Sequence, residues 1–125
     1  MFETFGVVYY FENFCSAYID DEIGKYYRSL LPKALYIQPP KRKTHVSIVR
    51  PFEFKECKTW DVKKCCAVRV IYYHSVQNDG VYYWLNCTSK SIGQIRLALG
   101  LPEFRNKFGT YHITIGNRKW LLKKN

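Results

Sequence analysis

Two of the three histidines in this chain are followed, two positions later, by a hydroxyl side chain: His45-Val46-Ser47 and His112-Ile113-Thr114. Each triplet lies in a short run of aliphatic and hydroxyl residues, THVSIV over 44–49 and YHITIG over 111–116, that reads as a strand. Side chains on a strand alternate between faces. His45 and Ser47 therefore share one face, and Val46 and Ile48 the other. His112 and Thr114 likewise oppose Ile113 and Ile115. The aliphatic face can anchor in a core while the polar face lines a cleft.

An imidazole titrates near pH 6.5, so at neutrality one of a pair can be neutral and the other protonated. The neutral ring removes a proton from an attacking hydroxyl or water, and the protonated ring donates to the departing oxygen. Each transfer contributes roughly 100- to 10,000-fold. Ser47 and Thr114 are placed to hold non-bridging phosphate oxygens as negative charge builds. This chemistry cleaves a phosphodiester and requires no metal and no cofactor. His74 is followed at the same spacing by Val76 and is read as structural or surface.

The elements that must position these residues follow from local pattern. FGVVYYF over 5–11 reads as a strand, and a helix is expected from Asp20 to Leu31, with acids at its start and Pro32 at its end. Residues 38–43 form a turn-rich basic loop, and 51–64 are ambiguous. Strands are expected over 65–73 and 81–87, joined by a turn through Asp79-Gly80. Ser89 can cap a helix from Lys90 to Leu99, closed by Gly100 and Pro102. The second histidine strand follows a loop over 101–109, and the tail over 118–125 is basic. Arg28-Ser29-Leu30-Leu31-Pro32 and Arg96-Leu97-Ala98-Leu99 each lead through a loop into a histidine strand. This echo predicts two similar lobes facing each other across a cleft.

The 125 residues suit one domain spanning 1–125, and a hydrophobic content of 47% supports a packed core. No run approaches the roughly 20 apolar residues of a membrane span, and the first residues lack the pattern of a signal peptide, so a cytoplasmic location is expected. The net charge of +10 favours a polyanionic partner. Five cysteines without a Cys-x-x-Cys pair fit buried thiols better than a disulfide framework. A zinc set of Cys57, Cys65 and His74 is the weaker alternative. With 11 Tyr, 8 Phe and 3 Trp the chain is rich in stacking surfaces. Tyr10, Trp84 and Trp120 are candidates to stack on bases, and Arg50, with Lys41, Arg42 and Lys43, to attract phosphate.

The paired motifs, with His112 lying 67 residues after His45, resemble the 2H phosphoesterase superfamily. So do their surroundings, KTHVSIVR over 43–50 and YHITIGN over 111–117. The resemblance implies an α+β bilobal fold: two pseudo-symmetric antiparallel sheets with flanking helices around a central cleft. It implies His45 and His112 as catalytic residues and Ser47 and Thr114 as phosphate ligands. The single domain, the N-terminal FGVVYY strand and the motif spacing look most like the phage anti-CBASS nucleases. That branch implies cleavage of cyclic di- and trinucleotide signals of antiviral defence, in a host-cell cytoplasm. Ser47 departs from the more usual Thr but keeps the hydroxyl. Two other readings stand beside it: a 2′,3′-cyclic phosphodiesterase acting on RNA ends, and a basic RNA-binding module without catalysis.

Overall fold

Alternating burial organises the chain. In the strand from Phe2 to Tyr10, Val8 is fully buried and Tyr10 nearly so, while Phe5, Val7 and Tyr9 are exposed. The computed structural model describes residues 1–62 and 65–122. Among these, six strands follow in order: β1 Phe2–Tyr10, β2 Cys15–Tyr18, β3 His45–Val49, β4 Cys65–Asn78, β5 Tyr82–Thr88 and β6 Tyr111–Asn117. Two α-helices accompany them, α1 Asp21–Ser29 and α2 Lys90–Ala98. The strands pair antiparallel and close into one barrel in the order β1-β2-β3-β6-β5-β4. No helix among the described residues is long and apolar enough to cross a membrane.

This corrects the expectation of two pseudo-symmetric sheets in a bilobal fold. The two histidine strands, expected at the hearts of separate lobes, are neighbours in one closed sheet, paired at Val46 and Ile113. A repeated helix-loop-strand pattern specifies elements but not their pairing. Pairing follows the apolar faces: Val46, Ile48, Ile113 and Ile115 are all completely buried in one core with Val8, Val70 and Leu85. Each such side chain removed from water contributes about 1.5–3 kcal/mol.

Both helices are fastened by their first turns. Asp20 caps α1 by accepting the Glu22 N–H at 3.0 Å. The next carboxylate, Asp21 Oδ1, accepts both the N–H and the hydroxyl of Thr44 at 2.9 Å. Gly24 faces the same threonine, and a Cβ there would lie 2.3 Å from Thr44 Oγ1. Only glycine lets α1 approach this closely, and the approach pins the residue before His45. In α2, the Ser89 hydroxyl accepts the Ile92 N–H at 3.2 Å and donates to the Arg69 carbonyl at 2.6 Å.

The far end of β3 is held by a buried ion cluster. Glu53 receives Arg96 Nη2 at 2.8 Å and Arg105 Nε at 2.9 Å, and Arg96 Nη1 also donates to the Ile48 carbonyl at 2.6 Å. Arg96, on α2, is 1% exposed. Burial alone would raise the Glu53 carboxyl, but Arg96, the Arg50 N–H and Arg105 outweigh it and hold it at about 2. A depressed carboxyl stabilises the fold above its ordinary value of 4.5, and this contribution is lost as pH falls from there toward 2. Breaking a buried pair by removing one partner costs roughly 3–5 kcal/mol. Glu53→Gln is therefore expected to lower the unfolding free energy at pH 7 by about that amount in a denaturant titration. A loss below about 1 kcal/mol, the size of an exposed pair, would contradict this account.

Candidate active site

The seam between β3 and β6 carries both motifs on one face. Val46 lies opposite Ile113, so the antiparallel register continues with Ser47 toward His112 and His45 toward Thr114. His45 and His112 are then diagonal neighbours, a relation that places their Cα atoms about 7–8 Å apart and their Cβ atoms closer. All four polar side chains line one cleft of about 480 Å³, together with Arg50 and Trp84. Lys41, Arg42 and Lys119 also line it, so among the described residues four cations face a single carboxylate, Asp79. A larger groove of about 580 Å³ lies beside α1 and includes His74, Phe2 and Tyr26. It holds neither motif, and His74 sits where β4 slips register against β5 between Tyr72 and Val76.

His45 is fixed at both ring nitrogens. Nδ1 lies 2.7 Å from the Lys43 carbonyl, and Nε2 lies 3.0 Å from Arg42 Nη2. A carbonyl only accepts and a guanidinium only donates. The neutral ring thus carries its proton on Nδ1 and presents the Nε2 lone pair. Burial lowers its pKa below 6.5, and the charges of Arg42 and Arg50 act in the same direction against the Lys43 carbonyl. Arg42 is itself anchored, donating from Nη1 to Ser16 Oγ at 3.0 Å and Tyr18 Oη at 3.2 Å, with its guanidinium 4.7 Å above the Phe14 ring. Ser16 and Tyr18 lie on β2, opposite Ser47 and His45.

His112 is held by stacking. Its ring lies 4.8 Å from that of Trp84 at an interplanar angle of 22°. The indole N–H is occupied by Asn86 Oδ1 at 3.1 Å, which fixes the indole plane. Burial lowers the His112 pKa, and Arg50 and Arg105 add to the effect.

The other expected contacts divide. Arg50 and Trp84 reach the cleft, although Trp84 spends a ring face on His112 rather than leaving it for a base. Tyr10 does not reach it. It is 6% exposed, edge-on to Trp60 at 5.2 Å, and burial pushes its hydroxyl up to about 12. Trp120 lies elsewhere, donating to the Tyr36 carbonyl at 3.0 Å and packing on Arg118. An aromatic residue on a strand has no local mark that separates a core position from a cleft wall. Arg42's grip on His45, and the β2 residues that hold it, were not foreseen. Nor was β2 itself, a four-residue strand with one strong β-former.

No disulfide links the cysteines; Cys15 and Cys87 are buried, and Cys65 is exposed rather than the buried thiol expected. Among the described residues no three His, Cys, Asp or Glu side chains gather as a metal site, so Cys57, Cys65 and His74 do not converge. Comparison with protein-family models, curated proteins and solved structures finds no match to this chain.

A histidine with a lowered pKa stabilises the fold fully above its unfolded value near 6.5, and this stability is lost as pH falls through 6.5 toward the folded pKa. Unfolding free energy should therefore drop between pH 7 and 5, and the drop should shrink in His45→Gln. Proton NMR titration should place both rings below 6.5, with Arg42→Ala moving His45 upward. A wild-type His45 titrating at or above 6.5 would refute the electrostatic picture.

Proposed function

We propose that this protein is a metal-independent phosphodiesterase of the 2H type, with His45 as general base and His112 as general acid. The observation that carries the reading is the union of both His-x-Ser/Thr strands along one seam, with all four polar side chains lining a single cation-rich cleft. The likeness to the 2H superfamily rests on those motifs and their juxtaposition, not on the bilobal architecture.

The step follows from the site. A substrate phosphate sits between the two rings, with Ser47, Thr114 and Arg50 on its non-bridging oxygens. The anion is a stronger partner for Arg42 Nη2 than a neutral imidazole. Arg42 therefore turns to the phosphate and releases His45 Nε2. That lone pair takes the proton of the ribose 2′-hydroxyl as its oxygen attacks phosphorus. The bond from phosphorus to the departing 5′-oxygen breaks, and that oxygen takes a proton from His112. The products are a 2′,3′-cyclic phosphate and a free 5′-hydroxyl. Trp84, stacked flat on His112, holds the plane of that ring.

The favoured substrates are cyclic di- and trinucleotide messengers, and the resemblance to anti-CBASS nucleases makes phage counter-defence in a host cytoplasm the favoured setting. A cleft of about 480 Å³ supports this, being the size of a small-ligand pocket. RNA ends bearing a 2′,3′-cyclic phosphate are the second substrate class; there water takes the place of the 2′-hydroxyl, His45 removes its proton as it attacks phosphorus, and the departing ribose oxygen takes a proton from His112. A non-catalytic RNA-binding module fits less well. Arg69, opposite the exposed Phe5 of β1, is already paired with Glu3, and the exposed Tyr9 packs edge-on against Tyr18, which holds Arg42.

The test is product analysis across cyclic dinucleotides, cyclic trinucleotides and RNA 2′,3′-cyclic phosphates. Turnover should persist in EDTA and fall roughly 100- to 10,000-fold in His45→Ala and in His112→Ala, with both variants folded. The wild-type kcat/KM should peak on the acid side of 6.5, because both rings titrate below their ordinary value. Full activity in either histidine variant would remove the mechanism, and activity abolished by EDTA and restored by a metal would point to other chemistry.

A further inference from the structure

The cleft extends beyond its phosphate end. Along the ladder of β5 and β6, Asn86 faces His112, Trp84 faces Thr114, and Tyr82 faces Asn117. The register slips between Tyr83 and Trp84, so β6 passes two buried residues, Ile115 and Gly116, between its cleft-facing Thr114 and Asn117. Strict alternation would have put Gly116 on the polar face instead. A bulge of this kind re-aims a side chain, and here it brings Asn117 into the cleft beside Tyr82. Three residues of strand carry the site about 10 Å from Thr114.

The chemistry at this second end differs from the first. Tyr82 is 40% exposed, and Lys119 Nζ lies 5.7 Å from its ring centroid. Asn117 Oδ1 accepts the Lys119 N–H at 3.1 Å, so its amide NH₂ is the group left to offer a ligand. Asp79 Oδ1 accepts the N–H groups of Val81 at 3.0 Å and Tyr82 at 2.7 Å, which hold the carboxylate at the cleft rim. A carboxylate with two oxygens retains acceptor capacity after those bonds. A flat ring, one donor and one acceptor match a nucleobase rather than a second phosphate.

We propose that Tyr82, Asn117 and Asp79 form a nucleobase subsite. Tyr82 stacks on the base, while Asn117 and Asp79 read an edge that pairs a ring-nitrogen acceptor with an exocyclic amino donor, as adenine does and uracil does not. The subsite deepens the phosphodiesterase reading and relies on it for the neighbouring phosphate. Binding separates the two claims. Calorimetry with 3′-AMP, 3′-UMP and inorganic phosphate should rank 3′-AMP above 3′-UMP, and both above phosphate. Tyr82→Ala should weaken 3′-AMP about 5- to 150-fold and leave phosphate unchanged, while Tyr82→Phe keeps the wild-type affinity. Asn117→Ala should erase the difference between 3′-AMP and 3′-UMP. Equal affinity for 3′-AMP and phosphate, no detectable 3′-AMP binding, or an equal loss on both in Tyr82→Ala would overturn the subsite. A normal 3′-AMP preference in a protein that cleaves nothing on the substrate panel would instead leave the subsite standing and remove the catalytic reading.

Discussion

The pairing of Val46 with Ile113 is the contact on which the rest depends. It joins two segments 67 residues apart and sets their common face, because a strand register cannot slip by one residue without turning every side chain over. With Val46, Ile48, Ile113 and Ile115 buried, the histidines and hydroxyls have only the cleft left to occupy. The arrangement of the four polar side chains is thus a by-product of core packing. The apolar residues between and beside the polar ones decide where the imidazoles go.

The remainder of the fold supports that seam from both ends. Thr44, clasped by Asp21 and crowded by Gly24, secures the start of β3. Glu53 and its two arginines secure the end, through the Ile48 carbonyl. β2 contributes Ser16 and Tyr18, which hold Arg42 against His45. The two imidazoles are restrained differently: one by hydrogen bonds at both nitrogens, the other by an indole face. That asymmetry distinguishes two residues whose motifs look alike.

Much of the local structure was legible in the residues. Alternation marked the motif strands, Asp20 and Ser89 announced the helix starts, and Asp79-Gly80 marked the hairpin, where Gly80 adopts φ of 94°. What local pattern lacks is information about partners. The helix-loop-strand echo is present in the chain, yet it suggested two lobes because nothing in it says that β3 and β6 lie side by side. Tyr10 and Trp120 were misplaced for a related reason, since an aromatic ring is equally suited to a core and to a wall. The bulge before Asn117 hid that residue, because it breaks the alternation by which faces are read.

The buried cluster behind β3 has an electrical consequence. Glu53 carries one negative charge and Arg96 and Arg105 one positive charge each, so the group leaves a surplus positive charge, with Arg96 buried and Arg105 half-buried. The lysines at the cleft rim stand in water, where a Debye length of about 8 Å at physiological ionic strength mutes them. The half-buried surplus is shielded less. Added salt should dim the rim's long-range pull on a distant anion while the field at the base of the cleft persists, so that capture and retention of a phosphate respond unequally to ionic strength.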